Sequence, residues 1–96
     1  EGCVWTAIWF GGRLKRYTPD GWLDREIHLP VRQTSAVCFA GKDWADMYVT
    51  SAGTNVADGL KPPSFDPATS PRGGGLYRIR TAGIRGGPSF RARLRL

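Results

Sequence analysis

The chain has 96 residues and a formal charge of +6, with 41% hydrophobic residues, 13 Gly and 7 Pro. That length allows one small domain or part of a larger one. Four Trp, three Tyr and four Phe are too many bulky aromatics for a disordered chain, and no stretch approaches the roughly 20 apolar residues of a membrane helix.

Charge is unevenly placed. Residues 1–70 hold seven Lys/Arg against eight Asp/Glu, whereas 71–96 hold seven Arg and no acid. These Arg alternate with apolar residues and form no compact run, so they read as a solvated strand and terminus. Neither nucleic acid nor a membrane is expected as a partner. Cys3 and Cys38 lie in apolar segments and read as buried free thiols of a cytoplasmic protein. With one His, far from both, they do not make a zinc site. No signal-peptide pattern opens the chain. It starts in the approach to a strand, and an earlier segment is expected to precede it.

Residues 3–10 are aromatic and β-branched and predict a strand. Gly11-Gly12 is a turn, and residues 13–17 alternate basic and apolar, a half-exposed strand. Thr18-Pro19-Asp20-Gly21 is a strong turn signal, because Pro presets φ and Gly accepts positive φ. Residues 22–29 alternate as a third strand, closed by Pro30. Residues 35–39 form a short apolar run that predicts a fully buried strand, and residues 47–51 another strand. Residues 52–75 are rich in Gly, Pro, Ser, Asp and Asn, so a long surface loop is expected, with one helical turn near 56–60. Residues 75–80 predict a strand, and 89–96 are a candidate for one more. Helix-period patterning is nearly absent, and the fold class is all-β.

An internal repeat underlies this order. VWTAIWFGGRLKRYTPDG begins at Val4; MYVTSAG begins at Met47 and is followed, after the loop, by GGGLYRIRTAG. Aligning Trp5 with Tyr48, and residues 13–17 with 76–80, sets the two starts 43 residues apart. A repeat of about 40–45 residues built from four short strands is the pattern of a propeller blade; a generic β-sandwich is the competing architecture.

Three segments, VWTAIWFGGRLKRYTPDGWLDREIHLPV, TSAVCFAGKDWADMYVTSA and GGGLYRI, resemble the C-terminal third of the SMP-30/gluconolactonase/regucalcin family, in order and with matching spacing over residues 1–80. The resemblance implies about one and a half blades of a six-bladed β-propeller made of four-stranded antiparallel meanders. Residues 1–96 would be the C-terminal part of that ring, with the remaining blades upstream. It also implies a metal-dependent hydrolase that opens small-molecule sugar lactones with a metal-activated water, or a non-catalytic propeller for calcium or ligand binding. The implied cofactor is a divalent metal, Ca²⁺, Zn²⁺, Mn²⁺ or Mg²⁺, for which carboxylate and amide oxygens are suitable ligands.

The family's metal ligands, a Glu, Asn residues and the Asp of a P-D-G motif, match no position of this chain. Pro19-Asp20-Gly21 repeats that motif but occupies an outer blade turn, and Asp20 is not expected to bind metal. No catalytic residue is expected within residues 1–96 either. Where earlier blades of the family open on P-N-G or P-D-G, this chain has Gln33-Thr34-Ser35. Thr34 therefore takes the ligand's place, either as a substrate-pocket hydroxyl or as a cap on the strand end. Gln33 stands where the family has Pro, which makes the opening less rigid. Trp9, with Phe10, ends a strand that rises toward the same face, either lining the substrate pocket or packing between blades. Trp5, Trp22, Trp44 and Tyr48 read as packing residues and His28 as a surface residue. Ser35 and Ser51 lack the G-x-S-x-G setting of a serine hydrolase. GGG at 73–75 lacks the Lys-Ser/Thr of a phosphate loop and reads as a hairpin turn.

Overall fold

A computed structural model describes residues 2–70, 72–81 and 83–88. Its strands are β1 (Val4–Ile8), β2 (Arg13–Tyr17), β3 (Leu23–His28), β4 (Thr34–Ala40), β5 (Asp46–Ser51) and β6 (Leu76–Arg80). They form two antiparallel three-stranded sheets, ordered β1-β2-β3 and β4-β5-β6. The chain is all-β, two successive meanders of a propeller. Among the described residues each sheet has three strands where a blade was expected to have four; the candidate at 89–96 lies outside them.

The turns follow local chemistry. Gly21 takes φ 89° and donates its N–H to the Thr18 carbonyl at 2.9 Å, closing the β2–β3 turn. The β1–β2 turn is strapped by the chain that leads into β4. Leu29 N–H donates to the Gly12 carbonyl at 2.9 Å, and Gly12 N–H donates to the Arg32 carbonyl at 3.1 Å. The first hairpin and the opening of β4 are thereby tied together.

Alternation along each strand puts one set of side chains between the sheets. Leu14 on β2 meets Met47 and Val49 on β5 in a fully buried cluster. Trp5, Ala7 and Ile27 pack on it from the first sheet, and Val37, Phe39, Tyr77 and Ile79 from the second. Register corrects the repeat. Trp5 pairs with Arg16, and Met47 pairs with Ile79, while Ala7 pairs with Leu14 and Val49 with Tyr77. With β2 aligned on β6, the structural equivalent of Trp5 is Met47, not Tyr48, because a slip of one residue moves a side chain to the other face of a strand.

The same parity accounts for two other departures, in β4 and at Cys38. The strand predicted as fully buried, β4, exposes Ser35, Ala36 and Cys38. Among the described residues it is an edge strand with one face on the core, and a register shift between Thr34 and Ala36 lets both Thr34 and Val37 turn inward. Cys38, on its outer face, is exposed and Cys3 half-buried, so neither is the buried thiol expected. Trp22 and Trp44, read as core or inter-blade packing residues, are 75% and 38% exposed and take no part in this core. His28 is exposed as expected, its Nε2 3.9 Å from Glu26 Oε2. Residues 52–75 are a loop carrying two single 3₁₀ turns, Asp58–Leu60 and Pro67–Thr69. Among the described residues no helix is long and apolar enough to cross a membrane.

Candidate functional site

The end of the molecule where β1 finishes, β2 begins and β4 opens gathers both residues singled out from the sequence. Trp9 forms an isolated antiparallel bridge with Gln33, one residue before Thr34. Thr34 is fully buried, and its hydroxyl donates to the Ile8 carbonyl at 2.5 Å. The peptide just before Trp9 is therefore held from β4. Trp9 itself is 41% exposed, and its indole Nε1 donates to the Leu60 carbonyl at 2.6 Å. One edge of the ring thus faces the long loop.

An aromatic row extends from Trp9. Its ring meets Phe10 edge-on at 4.8 Å between centroids, and Phe10 meets Phe65 edge-on at 4.7 Å. Such contacts suit ring quadrupoles. Phe10 has φ 58°, a left-handed conformation that costs a non-Gly residue about 1–2 kcal/mol. Burying its ring against Phe65 and Trp9 offsets that cost. The Arg32 guanidinium completes the row, 5.6 Å from the Phe65 ring centre.

Beneath this row runs a buried polar chain that motif reasoning missed. Ser70 and Gln33 are both fully buried. The Ser70 hydroxyl donates to Gln33 Oε1 at 2.6 Å and accepts from the Arg32 N–H at 2.9 Å. Gln33 Nε2 donates to the Gly53 carbonyl at 3.3 Å, and the Gln33 carbonyl accepts from Ala52 N–H at 3.0 Å. Gln33 was expected to loosen the opening relative to Pro. Instead its amide fastens both ends of the long loop to β4, a use of the side chain that Pro cannot make. The only sequence hint was the polar residue itself; its partner is 37 positions away.

Gly73 closes the loop because a larger residue does not fit. A Cβ there would stand 2.5 Å from the Ala52 carbonyl oxygen and 3.0 Å from Gln33 Nε2. Gly73→Ala is therefore expected to lower stability by about 1–3 kcal/mol through overpacking against backbone. Thermal melting of the variant beside wild type measures it, and an unchanged midpoint would show that the loop closes differently.

Asp20 lies exposed in the β2–β3 turn, at the end of the strands away from Thr34. Two concavities also lie at that far end. One, of ≈ 400 Å³, is lined by Trp5, Arg16, Phe39 and Ile84 among others. The other, of ≈ 480 Å³, is lined by Asp43, Trp44 and Arg85 with two glycines. Neither includes Thr34 or Trp9. Among the described residues no group of three or more His, Cys, Asp or Glu is placed to hold a metal. At the opening of β4 the hydroxyl of Thr34 and the amide of Gln33 already serve backbone and Ser70 partners. The side chains present there do not fit a divalent cation.

Comparison with known proteins agrees with this architecture. The family described as the SMP-30/Gluconolactonase/LRE-like region matches residues 1–53. Regucalcin of Oryctolagus cuniculus is 40% identical over 91 residues, covering 94% of this chain and 28% of that protein. Regucalcin of Sus scrofa is 38% identical over the same shares of each chain. Among solved structures, a luciferin-regenerating enzyme superposes with TM-score 0.78 at 28% identity, covering 96% of this chain and 29% of that one. A calcium-binding protein, regucalcin from Agrobacterium tumefaciens, superposes with TM-score 0.67 at 29% identity, covering 88% and 26%. The chain belongs to the SMP-30/gluconolactonase/regucalcin-like family. It spans less than a third of the length of the relatives it matches.

Proposed function

We propose that residues 1–96 are the C-terminal part of a six-bladed propeller that hydrolyses sugar lactones. Its divalent metal would be held by residues outside this chain. The observation that carries this reading is the family match over residues 1–53, which spans the first hairpin and the opening of β4. In this reading Trp9 and Thr34 belong to the substrate pocket. Trp9 offers a partly exposed ring face on which a sugar can stack. Thr34 contributes through its bond to the Ile8 carbonyl, which sets where Trp9 stands. Hydrolysis adds water across the ring ester and leaves the open-chain acid; this part of the chain supplies a wall for the sugar and no acid, base or nucleophile. Two cysteines with no disulfide between them suit a reducing compartment, and we place the protein in the cytoplasm.

A second reading, a non-catalytic propeller for calcium or ligand binding, is favoured by one observation. One of the structural relatives is described as a calcium-binding protein. The two are separated on the intact gene product from its source cells, whose mass should correspond to a chain roughly three times longer than this one. Aldonolactones are supplied with Ca²⁺, Zn²⁺, Mn²⁺ or Mg²⁺ in turn, and acid release is followed. Turnover with at least one metal is the expected result. Calcium binding without turnover of any lactone would replace the hydrolase reading with the second one. A mass matching 96 residues would remove the upstream metal-bearing blades and both readings' metal with them.

A further inference from the structure

Among the described residues Arg32 is a cation held in place with no carboxylate beside it. Its backbone is fixed on both sides. The N–H donates to Ser70 Oγ at 2.9 Å, and the carbonyl accepts from Gly12 at 3.1 Å. Its half-buried side chain carries the guanidinium to 5.6 Å from the Phe65 ring centre. Other basic residues nearby in the sheet are differently placed. Arg13 lies 3.5 Å and Lys15 3.8 Å from Glu26, and Arg16 lies 2.6 Å from Asp24. Among the described residues no such carboxylate partner stands against Arg32. A guanidinium held over an aromatic ring by a cation–π contact still has N–H donors to offer an oxyanion.

The placement gives that cation a use. Arg32 ends the row that runs from Trp9 through Phe10 and Phe65. A sugar stacked on Trp9 would have the guanidinium along the same aromatic row. We infer that Arg32 is an oxyanion-recognition residue. It pairs with a carboxylate or phosphate carried by the sugar seated at the opening of β4, so the preferred substrates are acidic sugars. This builds on the lactone reading above by naming the substrate class. Arg32 touches the substrate's charge and not the reacting ester, so it decides specificity and takes no chemical step.

The test is calorimetric titration of the intact gene product with D-glucose, D-glucuronate, D-glucose 6-phosphate and inorganic phosphate. At least one acidic sugar should bind about tenfold or more tightly than glucose, in line with a charge-assisted hydrogen-bonded pair. A preference for glucuronate assigns a carboxylate. A preference for glucose 6-phosphate, with competition by inorganic phosphate, assigns a phosphate. Arg32→Gln should abolish the preference, bringing the acidic sugars to the affinity that the same variant shows for glucose, while Arg32→Lys should keep part of it. Equal binding of glucose and both acidic sugars overturns the inference, as does a preference that survives Arg32→Gln. Glucose binding reports on folding of each variant. No hydrolysis is read, so the two ideas fail separately. An intact acidic preference without lactone turnover sinks the hydrolase reading alone, and turnover of neutral lactones without any acidic preference sinks this inference alone.

Discussion

Met47→Ala is expected to lower the free energy of unfolding by about 2–5 kcal/mol, the range for truncating a buried aliphatic side chain when the cavity collapses only in part. Met47 is fully buried on β5 and packs with Leu14 of the opposite sheet and Val49 of its own. The lost contacts therefore hold the two meanders together. Single domains are stable by only about 5–15 kcal/mol, so the loss would be a large part of the whole. Leu76→Ala is the matched control. Leu76 lies on β6 of the same sheet but is 65% exposed, and its truncation should stay within about 0.5 kcal/mol. Urea unfolding of the three proteins side by side measures both. Equal losses for Met47 and Leu76 would mean that the inter-sheet cluster is not the core.

Ser70→Ala should have an effect of similar size from a different cause. Removing one hydroxyl leaves Gln33 Oε1 without its donor and the Arg32 N–H without its acceptor. An unsatisfied buried polar group costs about 1–3 kcal/mol, and here there are two. Both Ser70 and Gln33 are fully buried, so water has no open route to replace the lost bonds. The effect should be local as well as global. Amide hydrogen exchange should rise at Arg32 and Ala52, whose N–H groups are held at the root of the loop, more than at Val49 in the core. Ser70→Thr, which keeps the hydroxyl, should recover most of the protection. If exchange at Arg32 and Ala52 is unchanged in Ser70→Ala, the polar chain does not fasten the loop.

Much of the fold was legible in the residues. The β-branched and aromatic runs, punctuated by Gly11-Gly12, Thr18-Pro19-Asp20-Gly21 and the triple glycine at 73–75, placed all six strands within a few positions. Strand formation and turn formation depend on neighbours in sequence, so local composition suffices for both. The family motifs placed Thr34 and Trp9 at one end, and the structure has them adjacent through the Trp9–Gln33 bridge.

Two kinds of information needed the tertiary structure. The first is facing. Alternation shows that a strand has two faces but not which one meets the core. Trp5 was thus aligned with Tyr48 when its equivalent is Met47, and Cys38 was expected inside when it lies on the outer face of β4. Pairing register decides this, and a shift of one residue reverses it. The second is the long loop. Composition marked 52–75 as irregular and therefore uninformative, yet its path returns Ser70 to Gln33 and Phe65 to Phe10 and Arg32. Those partners lie far apart in sequence and follow no period. What joins them is burial, which leaves each polar group needing a partner and each ring needing a neighbour, and only the folded chain decides which ones they find.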